Sequence, residues 1–306
     1  MQLTTITDGL RFPEGPIAMP DGSVILVEIA AGRLTRVMPD GKTETIAEPG
    51  GGPNGAAIGP DGAVYVCNNG GLKFIEDRGG IRPIGQADDY SGGRIERIDP
   101  ITGDVRVLYT ECGGNRLCGP NDIVFDRDGG FWFTDLGKTR ARDWDRAALY
   151  YATIDGKHIE EAAFPIVTAN GVGLSPDEKT VYVAETHSGR LWGFAVERPG
   201  KIKPRDWPSP NGGWVVGNTT GFRNFDSLAV DAAGNICVAT LMEGGITVIA
   251  PDGSSVEHVP MPDPYTTNIC FGGADLKTAY MTHSMYGKLV AAEWPTPGLP
   301  LNFLNR

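Results

Sequence analysis

NDIVFDRDGGFWFTD, residues 121–135, holds the pattern on which the fold turns. A side-chain amide opens it, an apolar stretch follows, an Asp-Gly turn interrupts, and an aromatic and β-branched run completes it, which reads as strand, turn, strand. Five other segments repeat the plan: EGPIAMPDG from Glu14, NGAAIGPDG from Asn54, NGVGLSPDE from Asn170, DSLAVDAAG from Asp226 and NICFGGADL from Asn268. Five of the six carry an Asp seven residues after the first position, at Asp21, Asp61, Asp128, Asp177 and Asp275. Each is followed by a β-rich run such as SVILVE, AVYVCNN or KTVYVAE.

The openings lie 40 to 67 residues apart, and a β-only unit of about 40 to 50 residues fits one four-stranded propeller blade. Six units predict an all-β, six-bladed β-propeller occupying residues 1–306 as one domain, since no linker-like tract divides the repeats. KLVAAEW at 288–294 leaves the sixth blade one strand short, and QLTTIT at 2–7 has the composition to supply it, closing the ring and removing exposed edges. Glu14, Asn54, Asn121, Asn170, Asp226 and Asn268 then stand at equivalent places, each at the start of an innermost strand, so six oxygen-bearing side chains converge on one axis.

Composition narrows the function classes. A formal charge of −11 without a basic cluster argues against a nucleic-acid partner. No apolar run approaches a membrane span, and MQLTTITDG lacks a signal-peptide core, so the expectation is a cytoplasmic protein with no membrane association and no obligatory protein partner. The five cysteines lack zinc-like spacing, and a disulfide between Cys112 and Cys118 is not expected in a reducing compartment. Trp132, Trp192 and Trp294 lie within strand runs and read as inter-blade core.

An axial set containing Glu14, Asp226, Asn121 and Asn170 is an all-oxygen cluster of the kind hard divalent cations prefer. Two carboxylates converging without a cation would repel and be costly to desolvate. The competing reading is that Asn, Asp and Glu at strand starts merely bond nearby backbone, which suits any one of the six better than it suits the set.

FPEGP at 12–16, GPNDIVFDRDGGFWFTD at 119–135, ANGVGLSPDEKTVYVAE at 169–185 and FDSLAVDAAGNICVAT at 225–240 resemble the senescence marker protein/gluconolactonase (regucalcin-like) family over nearly the whole chain. The resemblance implies a six-bladed propeller with one catalytic divalent metal in its central channel, usually serving lactone hydrolysis. It implies Glu14, Asn170 and Asp226 as metal ligands and Asn121 as the further axial Asn, a set that the related diisopropyl-fluorophosphatase arrangement shares. Ca²⁺ is expected first, with Mg²⁺, Mn²⁺, Fe²⁺ and Zn²⁺ as ions a mixed site also accommodates. In sugar-lactone members an Arg two residues before the axial Asn contacts substrate hydroxyls. Here that position is Gly119, which on the sequence alone reads as leaving a space, while Arg116 is out of register.

The expected function is therefore metal-dependent hydrolysis of a small lactone. Asp226 serves as catalytic base, or the ion itself lowers the pKa of the attacking water. Asn121, Asn54, Asn268 and His283 are the expected substrate contacts, with His283 at the channel mouth and His187 in an inter-blade hydrogen bond. A phosphotriesterase or fluorophosphatase at the same ion, and a non-catalytic calcium-binding propeller, are the alternatives. The extra stretch at 70–93 is expected to form part of a substrate lid, with a plain surface hairpin as its alternative.

Overall fold

In the computed structural model, which describes residues 1–305, six sheets of antiparallel strands stand in a ring. Blade one runs from the axis outward as Pro13–Ala18, Val24–Glu28, Arg33–Val37 and Thr43–Ala47, and blade two as Pro53–Ile58, Val64–Asn68, Arg94–Ile98 and Val105–Tyr109. Blade three comprises Pro120–Phe125, Gly130–Asp135, Ala147–Thr153 and Ile159–Ile166, and blade five Arg223–Val230, Ile236–Met242, Gly245–Ile249 and Val256–Pro260. Blade four has Ala169–Leu174, Thr180–Glu185 and Arg190–Arg198, but two short strands share its outer edge: Lys201–Lys203 and Trp214–Asn218 both pair with Arg190–Arg198. The fourth place of this blade is thus shared by two short strands, because the third strand is long enough to carry both.

Blade six closes the ring as expected. Thr266–Gly272, Thr278–His283 and Lys288–Glu293 are completed by Thr4–Thr7, which pairs with Lys288–Glu293 in the register Thr4 to Ala291. Lys288–Glu293 is thereby not left as an unpaired outer edge, and the start of the chain is fastened to its last blade by backbone hydrogen bonds.

The turn aspartates work locally. Asp21, Asp61, Asp177 and Asp275 each accept a hydrogen bond from the backbone N–H two residues on, at 3.0–3.3 Å, which fixes the reversal between inner and second strands. In blade three Asp126 does this, accepting from the Asp128 and Gly130 N–H groups, and in blade five Asp231 binds the Ala233 N–H. The apolar runs form the interfaces between blades. Tyr65 of blade two meets Phe125 of blade three at a ring separation of 5.1 Å, with Phe131 and Phe133 fully buried beside them. Each such side chain contributes roughly 1.5–3 kcal/mol of burial. Trp132, Trp192 and Trp294 are buried in the same kind of interface, as their sequence setting predicts.

All six inner strands break register near the axial residue, between Glu14 and Ile17, Pro53 and Ala56, Pro120 and Ile123, Ala169 and Val172, Phe225 and Leu228, and Thr266 and Asn268. A bulge bends its strand and re-aims a side chain. Six bulges at one level turn the six axial residues together.

Candidate active site in the central channel

The six residues that open the repeats are all buried: Glu14, Asn54, Asn121, Asn170, Asp226 and Asn268. Close approach of the inner strands is made by glycine. A Cβ on Gly15 would stand 2.5 Å from the Asn54 carbonyl oxygen, one on Gly55 2.5 Å from that of Asn121, and one on Gly171 2.7 Å from that of Asp226. The second residue of the NG and EG pairs thus lets each axial residue sit against the next blade.

Burial raises the Glu14 carboxyl well above its usual range, and the neighbouring Asp226 charge raises it further. Asp226 is likewise raised by burial, against a lowering hydrogen bond from Asn170. Glu14 Oε2 accepts from Asn268 Nδ2 at 2.7 Å and from the Gly15 N–H at 2.6 Å. Asn268 Oδ1 accepts from the Ile269 N–H, so this expected substrate contact is engaged in holding Glu14. Asn170 Nδ2 donates to Thr186 Oγ1 at 3.1 Å. The Oδ1 atoms of Asn121 and Asn170 are buried with no hydrogen-bond partner.

Two desolvated carboxylates and two orphaned carboxamide oxygens fit a hard divalent cation, because each feature that is costly in the bare protein becomes a ligand bond around one. Among the described residues no three His, Cys, Asp or Glu side chains are grouped to hold a metal by themselves, so a cation on the axis would also draw on the carboxamide oxygens.

Asp122, adjacent to Asn121, escaped the sequence reading. Burial pushes it up to about 7, while its two oxygens accept from the Ile123 N–H at 2.9 Å and the Val172 N–H at 3.2 Å. It faces the other half of the channel, a partly open pocket of about 110 Å³ walled by Ile17, Ile58, Val124, Leu174 and Phe271, with Leu299, Pro300, Leu301, Asn302 and Leu304 along its rim. Aliphatic and aromatic side chains dominate its wall, and Asn121, Asn170 and His283, whose polar atoms are orphaned, do not line it.

The mouth is shaped by the loops that leave the second strands. His283, at the end of its strand, is 3% exposed, and burial foremost lowers it to about 4, so its imidazole is neutral, with Nε2 unpartnered. His187 differs from expectation: its ring is exposed, and its backbone N–H donates to Thr168 Oγ1 within blade four. Tyr286 is half-exposed just beyond. The 70–93 stretch forms a hairpin, Leu72–Asp77 and Gly80–Gln86, turned by Arg78 and Gly79 with positive φ of 48° and 82°. It leans past blade one. Phe74 packs on Phe12 at 5.1 Å, the Ile81 N–H donates to the Met285 carbonyl at 3.0 Å, and Arg82 faces the Tyr265 hydroxyl. The insertion therefore rests on blade six at the mouth, where a lid would lie.

Gly119 is corrected. A Cβ there would run into the Gly137 carbonyl oxygen, and Asp135 binds the N–H groups of Cys118, Gly119 and Gly137 at 2.7, 2.7 and 2.8 Å. The position is packed backbone, not a space, and Arg116 is exposed in a separate short hairpin. All five cysteines are free thiols.

The family model described as SMP-30/Gluconolactonase/LRE-like region matches residues 12–285. A curated relative, lactonase drp35 of Staphylococcus haemolyticus, is 31% identical over 257 residues, covering 83% of this chain and 71% of its own. A solved gluconolactonase from Xanthomonas campestris superposes with a TM-score of 0.73 at 23% identity, covering 97% of this chain and 89% of that one. A calcium-binding regucalcin from Agrobacterium tumefaciens does so with a TM-score of 0.73 at 18% identity over 99% and 95%. With a family model spanning the channel-lining strands of all six blades, the chain belongs to the SMP-30/gluconolactonase/LRE-like family.

Proposed function

We propose that this protein is a metal-dependent lactonase that opens a small sugar-derived or related lactone on the mouth side of the axial ring. The observation that carries the reading is the pairing of two buried carboxylates, Glu14 and Asp226, with the orphaned oxygens of Asn121 and Asn170. Lactonase and gluconolactonase relatives support the substrate class.

Glu14, Asn121, Asn170 and Asp226 would hold the ion, Ca²⁺ foremost. When bound, a divalent cation supplies the positive charge that polarises the ester carbonyl and lowers the cost of charge on its oxygen. Asn268 fixes Glu14, and Thr186 with Asp226 fixes the Asn170 amide so that its oxygen stays on the axis. Asp226 takes the proton of the attacking water. Water oxygen bonds to the carbonyl carbon, the ring C–O bond breaks, and the proton passes to the departing alkoxide, leaving a hydroxy acid. His283, neutral and unpartnered at Nε2, would hydrogen-bond the lactone, and Asn54 would contact it from blade two, on the other side of blade one.

The test is a panel of five- and six-membered lactones, assayed while Ca²⁺ and other divalent ions are titrated into metal-stripped protein. Turnover that depends on metal is expected. Asp226→Asn should lose it by about 10²-fold or more even at saturating metal, in line with removal of a general base. Full activity of that variant assigns the proton work away from Asp226, and metal-independent turnover overturns the reading.

A further inference from the structure

The residues just beyond the second strands form a tier above the axial ring. Pro13 pairs with Glu28, Pro53 with Asn68, Pro120 with Asp135 and Ala169 with Glu185, so Ile29, Asn69, Leu136 and Thr186 follow at one level. Leu241 follows Thr240, the partner of Phe225, and His283 follows Thr282, the partner of Asn268. Thr186 shows where this tier looks, since its hydroxyl accepts from the axial Asn170 amide.

Asn69 is the unexplained member. It is 4% exposed, and its Oδ1 accepts from Lys138 Nζ at 3.0 Å and from the Gly71 N–H at 2.9 Å. Two donors on that oxygen determine which way the amide is turned. Its Nδ2 is buried with no acceptor at all. A buried unsatisfied donor costs about 1–3 kcal/mol, and such groups in a channel wall point to a ligand. Lys138 is 2% exposed, and its Nζ also donates to the Gly71 carbonyl at 2.9 Å. It thus ties blade three to the root of the lid hairpin and clamps the amide. His283, the other tier member with an orphaned polar atom, stands in blade six. Blades two and six flank blade one, so the two orphans lie on either side of Glu14.

We propose that Asn69 is a specificity-determining residue whose side-chain N–H donates to an acceptor oxygen on the bound lactone, and that Lys138 is the positioning residue that holds the amide in that orientation. This rests on the lactonase reading. It makes the recognised substrate a lactone bearing a hydroxyl or carbonyl oxygen on the side of the ring that meets blade two.

Asn69→Asp keeps the shape and the Lys138 contact while replacing the donor by an acceptor. On the best lactone of the panel its kcat/KM should fall roughly 10- to 100-fold, chiefly through KM. The loss should disappear on a lactone lacking the ring oxygen substituent. Lys138→Met should raise KM by a smaller factor, and Lys138→Gln, which can still donate, should restore part of it. In the wild-type protein, titration with the ring-opened hydroxy acid should shift the Asn69 side-chain amide signals in nitrogen-15 correlation spectra, a readout independent of variant folding. A kcat/KM within threefold of wild type for folded Asn69→Asp, or an unmoved Asn69 amide at saturating product, overturns the assignment. If wild-type protein turns over no lactone, the lactonase reading falls and this proposal with it. Turnover by wild type with an indifferent Asn69 removes the proposal alone.

Discussion

His283 carries a neutral imidazole because its ring is buried where an imidazolium would be poorly solvated and near Lys288. Its folded pKa, about 4, lies below the ordinary 6.5, so protons bind the unfolded chain first as pH falls. Stability from this group is present above pH 6.5 and is lost as pH drops toward 4, by up to about 3 kcal/mol. Wild-type protein should therefore lose more stability between pH 7 and pH 4 than His283→Gln, as read by urea titration at each pH. Parallel curves would contradict the assignment. The residue types of the ring were legible from the repeat, since Glu14, Asn121, Asn170 and Asp226 open homologous segments. Asn69 and Lys138 were not, because their meaning lies in a hydrogen bond between residues 69 positions apart.

At the scale of elements, the inner strands are held together at the axis by glycine rather than by side-chain packing. Gly55 has an ordinary negative φ, so Gly55→Ala meets no backbone strain and tests the close approach alone. The new methyl must displace the Asn121 carbonyl and Asp122. A loss of about 1–3 kcal/mol is expected by denaturant unfolding, with weakened metal affinity because Asn121 is moved. Gly171→Ala should act likewise through Asp226. Unchanged affinity in both would separate the ring geometry from the glycines. The turn chemistry of the hairpins was visible in PDG and DRDG, whereas the bulges that aim the axial residues were not, since a bulge is a mismatch between two strands and has no signature in either one.

The whole molecule depends on a strand borrowed from the far end of the chain. Thr4–Thr7 completes blade six, and Leu3 and Ile6 pack into its neighbouring cores. Removing residues 1–8 should cost about 2–3 kcal/mol of apolar burial and lower the Tm by roughly 3–5 °C. It also exposes Lys288–Glu293 as an unpaired edge, so size-exclusion chromatography should show concentration-dependent association. An unchanged melting curve would mean that the ring does not need this closure. The C-terminal residues 299–304 add a second fastening along the rim of the pocket in the other half of the channel, with the Leu299 N–H donating to the Val230 carbonyl at 2.9 Å.

Repetition made the architecture readable from residues alone. A six-fold recurrence of strand, Asp turn and strand leaves few arrangements that bury every apolar face, and a closed ring places the first residue of each inner strand on the axis. Composition likewise carries no basic cluster of the kind phosphate backbones demand. Tertiary structure alone decided what Gly119 is, that Asn268 serves Glu14, which amide oxygens are left unpartnered, and that the 70–93 hairpin rests on blade six. The physical reason is common to all four. Each depends on distances between segments remote in sequence, where burial and hydrogen-bond geometry are set by how blades meet and not by the propensities of any one stretch.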